Sequence, residues 1–243
     1  MSPAAYNANM SIAENVARVR ERIAAAAARV GRDPHPITLM AVSKTVDRER
    51  IRQASEAGVR VFGENRVQEF EEKFPGPEDR KDAEWHLIGH LQTNKAKKAA
   101  ELFDAVDSLD SQRLAQRLNH AFGTVGKVLP VLIEINVGGE ASKSGIPLDS
   151  PDLEKLLQEM GNCEHLQVHG LMAVPPFTSN PEAARPYFRL VRDLRDSIAL
   201  RKLPRIQTDT LSMGMSHDFE VAIEEGSTCV RVGTAIFGER PQP

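Results

Sequence analysis

The sequence predicts an α/β fold, a single (β/α)8 barrel of the TIM type with an extra N-terminal helix. Three observations predict it. Eight short apolar runs alternate with helix-patterned segments, and strands separated by helices pair in parallel, because parallel neighbours need crossover connections. The runs are nearly continuous in apolar residues, as strands are when both faces are covered. No run leads into a G-x-G-x-x-G turn, and eight units in 243 residues suit a closed barrel. An open doubly wound sheet is the alternative architecture.

Taken in order, residues 1–10 read as a loose tail and 11–243 as one domain. SIAE at 11–14 is a capping-box pattern, with Ser11 as N-cap and Glu14 reaching back. Ile12, Val16, Val19, Ile23, Ala27 and Val30 then repeat at helical spacing, and Gly31 ends a helix over 11–31. Strands are expected at 37–44, 59–65, 84–90, 103–110, 129–137, 166–174, 210–215 and 229–238. Helices are expected between them at 47–57, 65–73, 92–100, 111–122, 151–160, 180–200 and 217–225, with Gly58 and Gly226 marking ends. Only seven helices separate eight strands, so helix 11–31 is expected to fill the gap between the last strand and the first. No composition break suggests a second domain.

The composition is that of an ordinary globular protein, 41% hydrophobic and 27% charged, with net charge −3. That balance gives no sign of the strongly basic face of a nucleic-acid binder. The basic stretch NKAKK at 94–98 reads as a solvated helix start. Two cysteines, Cys163 and Cys229, do not form a disulfide framework in a chain this long, so a reducing compartment is expected. MSPAAYNANM lacks the features of a secretory signal, and no apolar run approaches the ~18 residues of a membrane span. A soluble cytoplasmic protein without membrane contact is expected.

Barrel active sites form at the C-terminal ends of strands. Those ends carry Ser43 and Lys44, Glu64 and Asn65, His90, Asp110, Asn136, Met215 and Ser216, then Gly233 and Thr234. Lys44 closes the apolar stretch LMAVSK. Apolar surroundings disfavour an ammonium ion, and a neutral amine attacks aldehydes to form a Schiff base. Position alone equally allows a lysine that reaches solvent at the barrel rim. In LSMGMSHDFEVAI (211–223), Ser216 is an N-cap candidate, and the helix start after it offers N–H groups to an anion. In VRVGTAIFGER (230–240), Gly233 and Thr234 interrupt a strand-like run and permit close backbone approach. Phosphate sites of barrels often use the loops after strands seven and eight, where both stretches fall.

Other motifs carry less. His86 and His90 stand four apart, but WHLIGH reads as strand and lacks the glutamate of H-E-x-x-H, so no metal is expected there. Cys229 reads as a small core residue. GGEASKSG (138–145) does not match a Walker loop and reads as a flexible loop over the barrel mouth.

AVSKT (41–45), FGENRVQE (62–69), WHLIGHLQTNK (85–95), GLMAVPP (170–176), SMGMSHDFEVAI (212–223) and VRVGTAIFGER (230–240) closely resemble the pyridoxal phosphate homeostasis proteins, the YggS/PROSC family. The resemblance spans about residues 37–240. It implies a single barrel like the N-terminal domain of alanine racemase, binding pyridoxal 5′-phosphate (PLP, a vitamin B6 form). It also implies that Lys44 holds PLP as a Schiff base and that Ser216, Gly233 and Thr234 hold its phosphate. Asn65, Asn136 and His90 would line the pocket near the ring, and Arg240 would approach the pyridine nitrogen. This chain reads FGER where the family often has FGAR, and SKTVD where many members have SKTKP.

A cation at the ring nitrogen weakens the ring as an electron sink, and enzymes that use the sink fully place a carboxylate there. Related racemases use a tyrosine from a second domain of a partner subunit. This chain shows no such domain, and its tyrosines, Tyr6 and Tyr187, fall in the tail and in a helix. The expectation is therefore a monomeric PLP buffer with little or no catalysis, which passes PLP to apo PLP-dependent enzymes. The alternatives are a PLP-dependent racemase or decarboxylase, and a cofactor-free class I aldolase using Lys44.

Overall fold

Ser11 opens the first helix reciprocally: its hydroxyl accepts from the Glu14 amide (3.2 Å), and the Glu14 carboxylate accepts from the Ser11 amide (2.7 Å). That capping box satisfies two amides that a helix start otherwise leaves without partners. The computed structural model describes residues 10–140 and 143–239. In it α1 (Ile12–Arg29) turns Val16, Val19, Ile23 and Ala27 inward.

Eight strands close into a parallel barrel: β1 (Thr38–Val42), β2 (Val61–Glu64), β3 (Glu84–Leu87), β4 (Ala105–Leu109), β5 (Leu129–Asn136), β7 (Leu166–Ala173), β8 (Ile206–Met215) and β9 (Cys229–Val232). Each pairs with the next, and closure comes from β9 on β1, with Thr38 opposite Cys229. A two-residue strand, β6 (Ile146–Pro147), adds to the end of β5 with Ile146 opposite Ile135.

The helices between strands are α2 (Arg48–Glu56), α3 (Val67–Lys73), α4 (Ala96–Leu102), α5 (Gln112–Val125), α6 (Pro151–Met160), α7 (Arg185–Leu200) and α8 (Phe219–Glu224). A short α9 (Thr234–Phe237) follows β9. As expected, α1 fills the remaining gap, packing on α2, α8 and α9. The Asn15 amide donates to the Ile236 carbonyl (3.0 Å), and Arg22 pairs with Glu220 (3.0 Å). Among the described residues, no helix is long and apolar enough to cross a membrane.

The layer between barrel and helices is apolar. Phe62 stacks on Trp85 with ring centroids 5.0 Å apart, and Phe70 on Phe103 at 4.6 Å. Full burial of such a ring stabilises by roughly 1.5–3 kcal/mol. Cys163 and Cys229 are both buried and unbridged, and burial pushes the Cys229 thiol up to about 12, so it stays protonated.

Three expectations need correction. The run 229–238 is not one strand: β9 ends at Val232, and α9 begins just after Gly233. Its apolar sequence suits either element, and docking against α1 selects the helix. The seventh barrel strand starts at Ile206 rather than 210, because the alternating IQTDT pairs with β7 across a register shift. The helices at 92–100 and 180–200 open instead as 3-10 turns, Thr93–Lys95 and Pro181–Ala184.

The barrel interior, by contrast, is charged. His86 Nδ1 lies 2.9 Å from Asp107 Oδ1, and Nε2 lies 3.0 Å from Glu84 Oε1. Burial opposes charge on this ring, but Asp107 and Glu84 outweigh it and push His86 up to about 10. The raised value stabilises the fold fully below the unfolded value of 6.5, and the stabilisation is lost as pH rises through about 10. Denaturant titrations at a series of pH values should show wild type losing a few kcal/mol more than His86→Gln between neutrality and that pH, on the order of the linkage. Parallel curves would refute the charged ring.

Candidate functional site

Side chains alternate along β1, so Met40, Val42 and Lys44 share the inward face while Leu39 and Ala41 join the outer apolar layer. The inward face opens at the C-terminal rim into a cavity of about 550 Å3. Lys44, Asn65, His90, Ser216, Gly233 and Thr234 all line it, so the structure brings together six of the residues expected from the sequence.

The backbone around Lys44 is fastened from outside the barrel. Ser43, fully buried, donates its hydroxyl to Glu64 Oε1 (2.8 Å). Lys73, from the last turn of α3, donates to the same oxygen (3.0 Å) and to the Ser43 carbonyl (2.9 Å). Lys73 also pairs with Glu69 (2.7 Å), whose carboxylate accepts from the Thr45 amide (2.5 Å). Thr45 holds a left-handed φ of 63°, which a non-glycine residue keeps only when its surroundings enforce it. Both neighbours of Lys44 are thus tied to one buried ion cluster.

The opposite wall comes from the ends of β8 and β9. Gly214, with φ 92°, lets β8 pass close to α8: a Cβ there would lie 2.5 Å from Ala222 Cβ. Ser216 does not cap α8, which starts at Phe219 after Asp218. Its hydroxyl accepts instead from the amides of Gly233 and Ala235, both at 3.2 Å. The two stretches singled out by sequence therefore meet at a single hydroxyl.

The third side is built on β2 to β5. Gly89 lies so close to Asn65 that a Cβ would stand 2.4 Å from the Asn65 carbonyl oxygen, which fixes Asn65 and His90 side by side. His90 is half exposed, with Nδ1 3.2 Å from Asp110. Asn136 is the exception among the expected ring-lining residues. Its amide donates to the carbonyls of Glu140 (2.9 Å) and Lys143 (3.3 Å), so it pins the loop after β5 rather than facing the cavity. That loop is a side wall: Lys143 and Ser144 line the cavity, and Lys143 pairs with Glu140 (2.7 Å). Arg240 lies outside the described residues.

Three cavity residues escape a reading confined to strand ends. Arg50 reaches across from α2 to the Phe237 carbonyl. Arg231, 3% exposed, donates to Ser212 Oγ (2.6 Å) and the Ala173 carbonyl (2.9 Å), with no carboxylate in ion-pair reach among the described residues. Burial lowers its affinity for its proton. Glu134 projects from β5, and burial, then the charge of Asp110, push its carboxyl up to about 7 despite Arg231. Arg231 and Glu134 each lie within an apolar strand run, at the one charged position of VRV or LIEI.

The family described as alanine racemase, N-terminal domain, matches residues 11–241. The pyridoxal phosphate homeostasis protein of Aquifex aeolicus (strain VF5) is 46% identical over 231 residues, covering 95% of this chain and 99% of the relative. That of Escherichia coli (strain K12) is also 46% identical, covering 94% and 97%. The solved structure of PipY from Synechococcus elongatus PCC7942 with PLP bound superposes with a TM-score of 0.81 at 35% identity, covering 94% of this chain and all of that one. The chain belongs to the alanine racemase N-terminal domain family, and within it to the pyridoxal phosphate homeostasis proteins.

Proposed function

We propose that this chain binds pyridoxal 5′-phosphate, as a Schiff base on Lys44, and serves intracellular PLP homeostasis by holding and supplying it with little or no catalysis of its own. The observation that carries the reading is one cavity joining an amine on β1 to a hydroxyl and amide cluster at the ends of β8 and β9. The donor set fits the group. Arg231 puts a buried cation into that cavity without a carboxylate partner among the described residues, a place for an anionic ligand.

In this reading Lys44 adds its amine to the aldehyde carbon, a C=N bond forms, and one water leaves. Ser216, Thr234 and the amides around Gly233 hold the phosphate. Asn65 and His90 bound the ring. PLP supplies an aldehyde that captures amines and a ring that can accept electrons. The cation that the resemblance placed at Arg240 is here assigned to Arg231. A cation beside the ring opposes protonation of its nitrogen and weakens electron acceptance, which favours holding over turnover. Tyr187 sits in α7 and does not line the cavity.

The test is reconstitution with PLP, borohydride reduction and mapping of the pyridoxyl peptide by mass, with an amino-acid racemisation assay on the same preparation. Yellow protein labelled at Lys44 with negligible turnover is expected. Colourless protein that takes up no PLP would end the reading, and brisk turnover would favour the racemase alternative.

A further inference from the structure

Glu134 is a carboxyl that the proposed chemistry leaves unused. It enters the cavity from β5 and is 9% exposed. Its Oε2 is buried and takes no hydrogen bond, and no ion pair reaches either oxygen among the described residues. The loop after β5 runs close beside it: a Cβ added at Gly145 would stand 3.1 Å from Glu134 Cγ. A buried carboxyl without a hydrogen-bond partner costs stability that an apolar residue would not cost. Such a group makes sense when a ligand supplies the partner.

The surrounding charges indicate the form it takes. Asp110, just beyond β4, repels a negative Glu134, while Arg231 on β9 attracts it. His90 and Lys143 also line the cavity, but His90 is engaged with Asp110 and Lys143 with Glu140. Lys44 approaches from β1. On β7, His169 belongs to the far end of the barrel with Glu84. With burial added, the neutral acid is retained near neutrality, and a neutral carboxyl donates a hydrogen bond.

We infer that Glu134 is a ligand-binding group that works protonated: it keeps its proton and donates a hydrogen bond to an anionic oxygen of the pyridine ligand, so that ligand entry draws a proton into the cavity. The inference rests on the PLP reading above. An anion in the cavity makes ionisation of Glu134 still less favourable. Affinity therefore falls as pH rises through the titration of this carboxyl, and loaded protein gives up its ligand more readily on the alkaline side.

Pyridoxine 5′-phosphate is the probe, because it lacks the aldehyde and so removes the titration of the Lys44 amine from the measurement. Its dissociation constant is measured by calorimetry across neutrality, in two buffers of different ionisation enthalpy, for wild type, Glu134→Gln and Glu134→Leu. The ligand phosphate titrates identically in all three. Relative to Glu134→Gln, wild type should weaken by an amount approaching about tenfold per pH unit above the carboxyl titration, with up to about one proton taken up. Glu134→Gln should bind without that uptake, and Glu134→Leu, with no donor, should bind more weakly than Glu134→Gln at every pH. Coincident pH profiles, or equal proton uptake in wild type and Glu134→Gln, would overturn this proposal alone. Failure of wild type to bind either pyridoxine 5′-phosphate or PLP would overturn the PLP reading and this proposal with it.

Discussion

Lys44→Ala protein should stay colourless when incubated with PLP and yield no pyridoxyl peptide after borohydride reduction. The substitution removes the amine that lines the cavity and leaves the Ser216 and Arg231 ends intact. Residual non-covalent binding is expected, weaker by about a hundredfold or more, roughly 3 kcal/mol. Stability should move by no more than about 0.5 kcal/mol, because Lys44 is only half-buried and fills no apolar core. Equilibrium dialysis with a denaturant titration separates the two effects. A label that persists on another lysine at wild-type stoichiometry would refute the assignment.

Lys73→Met should act in the opposite way, striking stability first. Lys73 is the cation for Glu64, which is wholly buried and keeps Oε2 without a partner even with Lys73 present. Burial already raises the Glu64 titration, and Lys73 with Ser43 offsets that. Without Lys73 the carboxylate must either remain buried and unpaired, at a cost of roughly 3–5 kcal/mol, or take up a proton. The deficit should therefore grow as pH rises above the carboxylate range. Adding Glu64→Gln should recover much of it, since an amide needs no counter-ion. PLP uptake should also slow, because the Ser43 carbonyl loses its donor and Glu69, which holds the Thr45 amide, loses its cation. A double mutant no more stable than Lys73→Met would show that the cluster is not electrostatic.

The βα alternation was legible because each strand is covered on both faces and each helix carries an apolar stripe. The closing role of α1 followed from counting seven helices against eight strands. Where strand meets helix without a polar break, the sequence misled: TAIF after Gly233 has the branched, apolar character of a strand. As a helix it docks on α1, where the Asn15 amide, more than 200 positions earlier, meets the Ile236 carbonyl. Cavity-lining residues at strand ends were legible for a similar reason, since barrel topology puts every such end on one rim. Arg231 and Glu134 were not, because they sit within strands. Whether a mid-strand charge points into the barrel or into the helix layer depends on register. Alternation back from Gly233 would have found Arg231. Asn136 also ends a strand in the expected place, and its amide donates to the loop, a contact the sequence did not signal.

One detail of the cavity bears on how a handler lets go. The Gly233 and Ala235 amides are already satisfied by the Ser216 hydroxyl. In the proposed role, a phosphate arriving there swaps one acceptor for another, and a single such swap is worth only about 0.5–1.5 kcal/mol net. When the ligand leaves, no amide is stranded, because the hydroxyl resumes its place. In that role the protein would carry its own stand-in for the cargo, which would flatten the free-energy difference between loaded and empty states. A carrier built this way parts with its load by exchange, while an enzyme that must never lose its cofactor would gain from leaving those amides open.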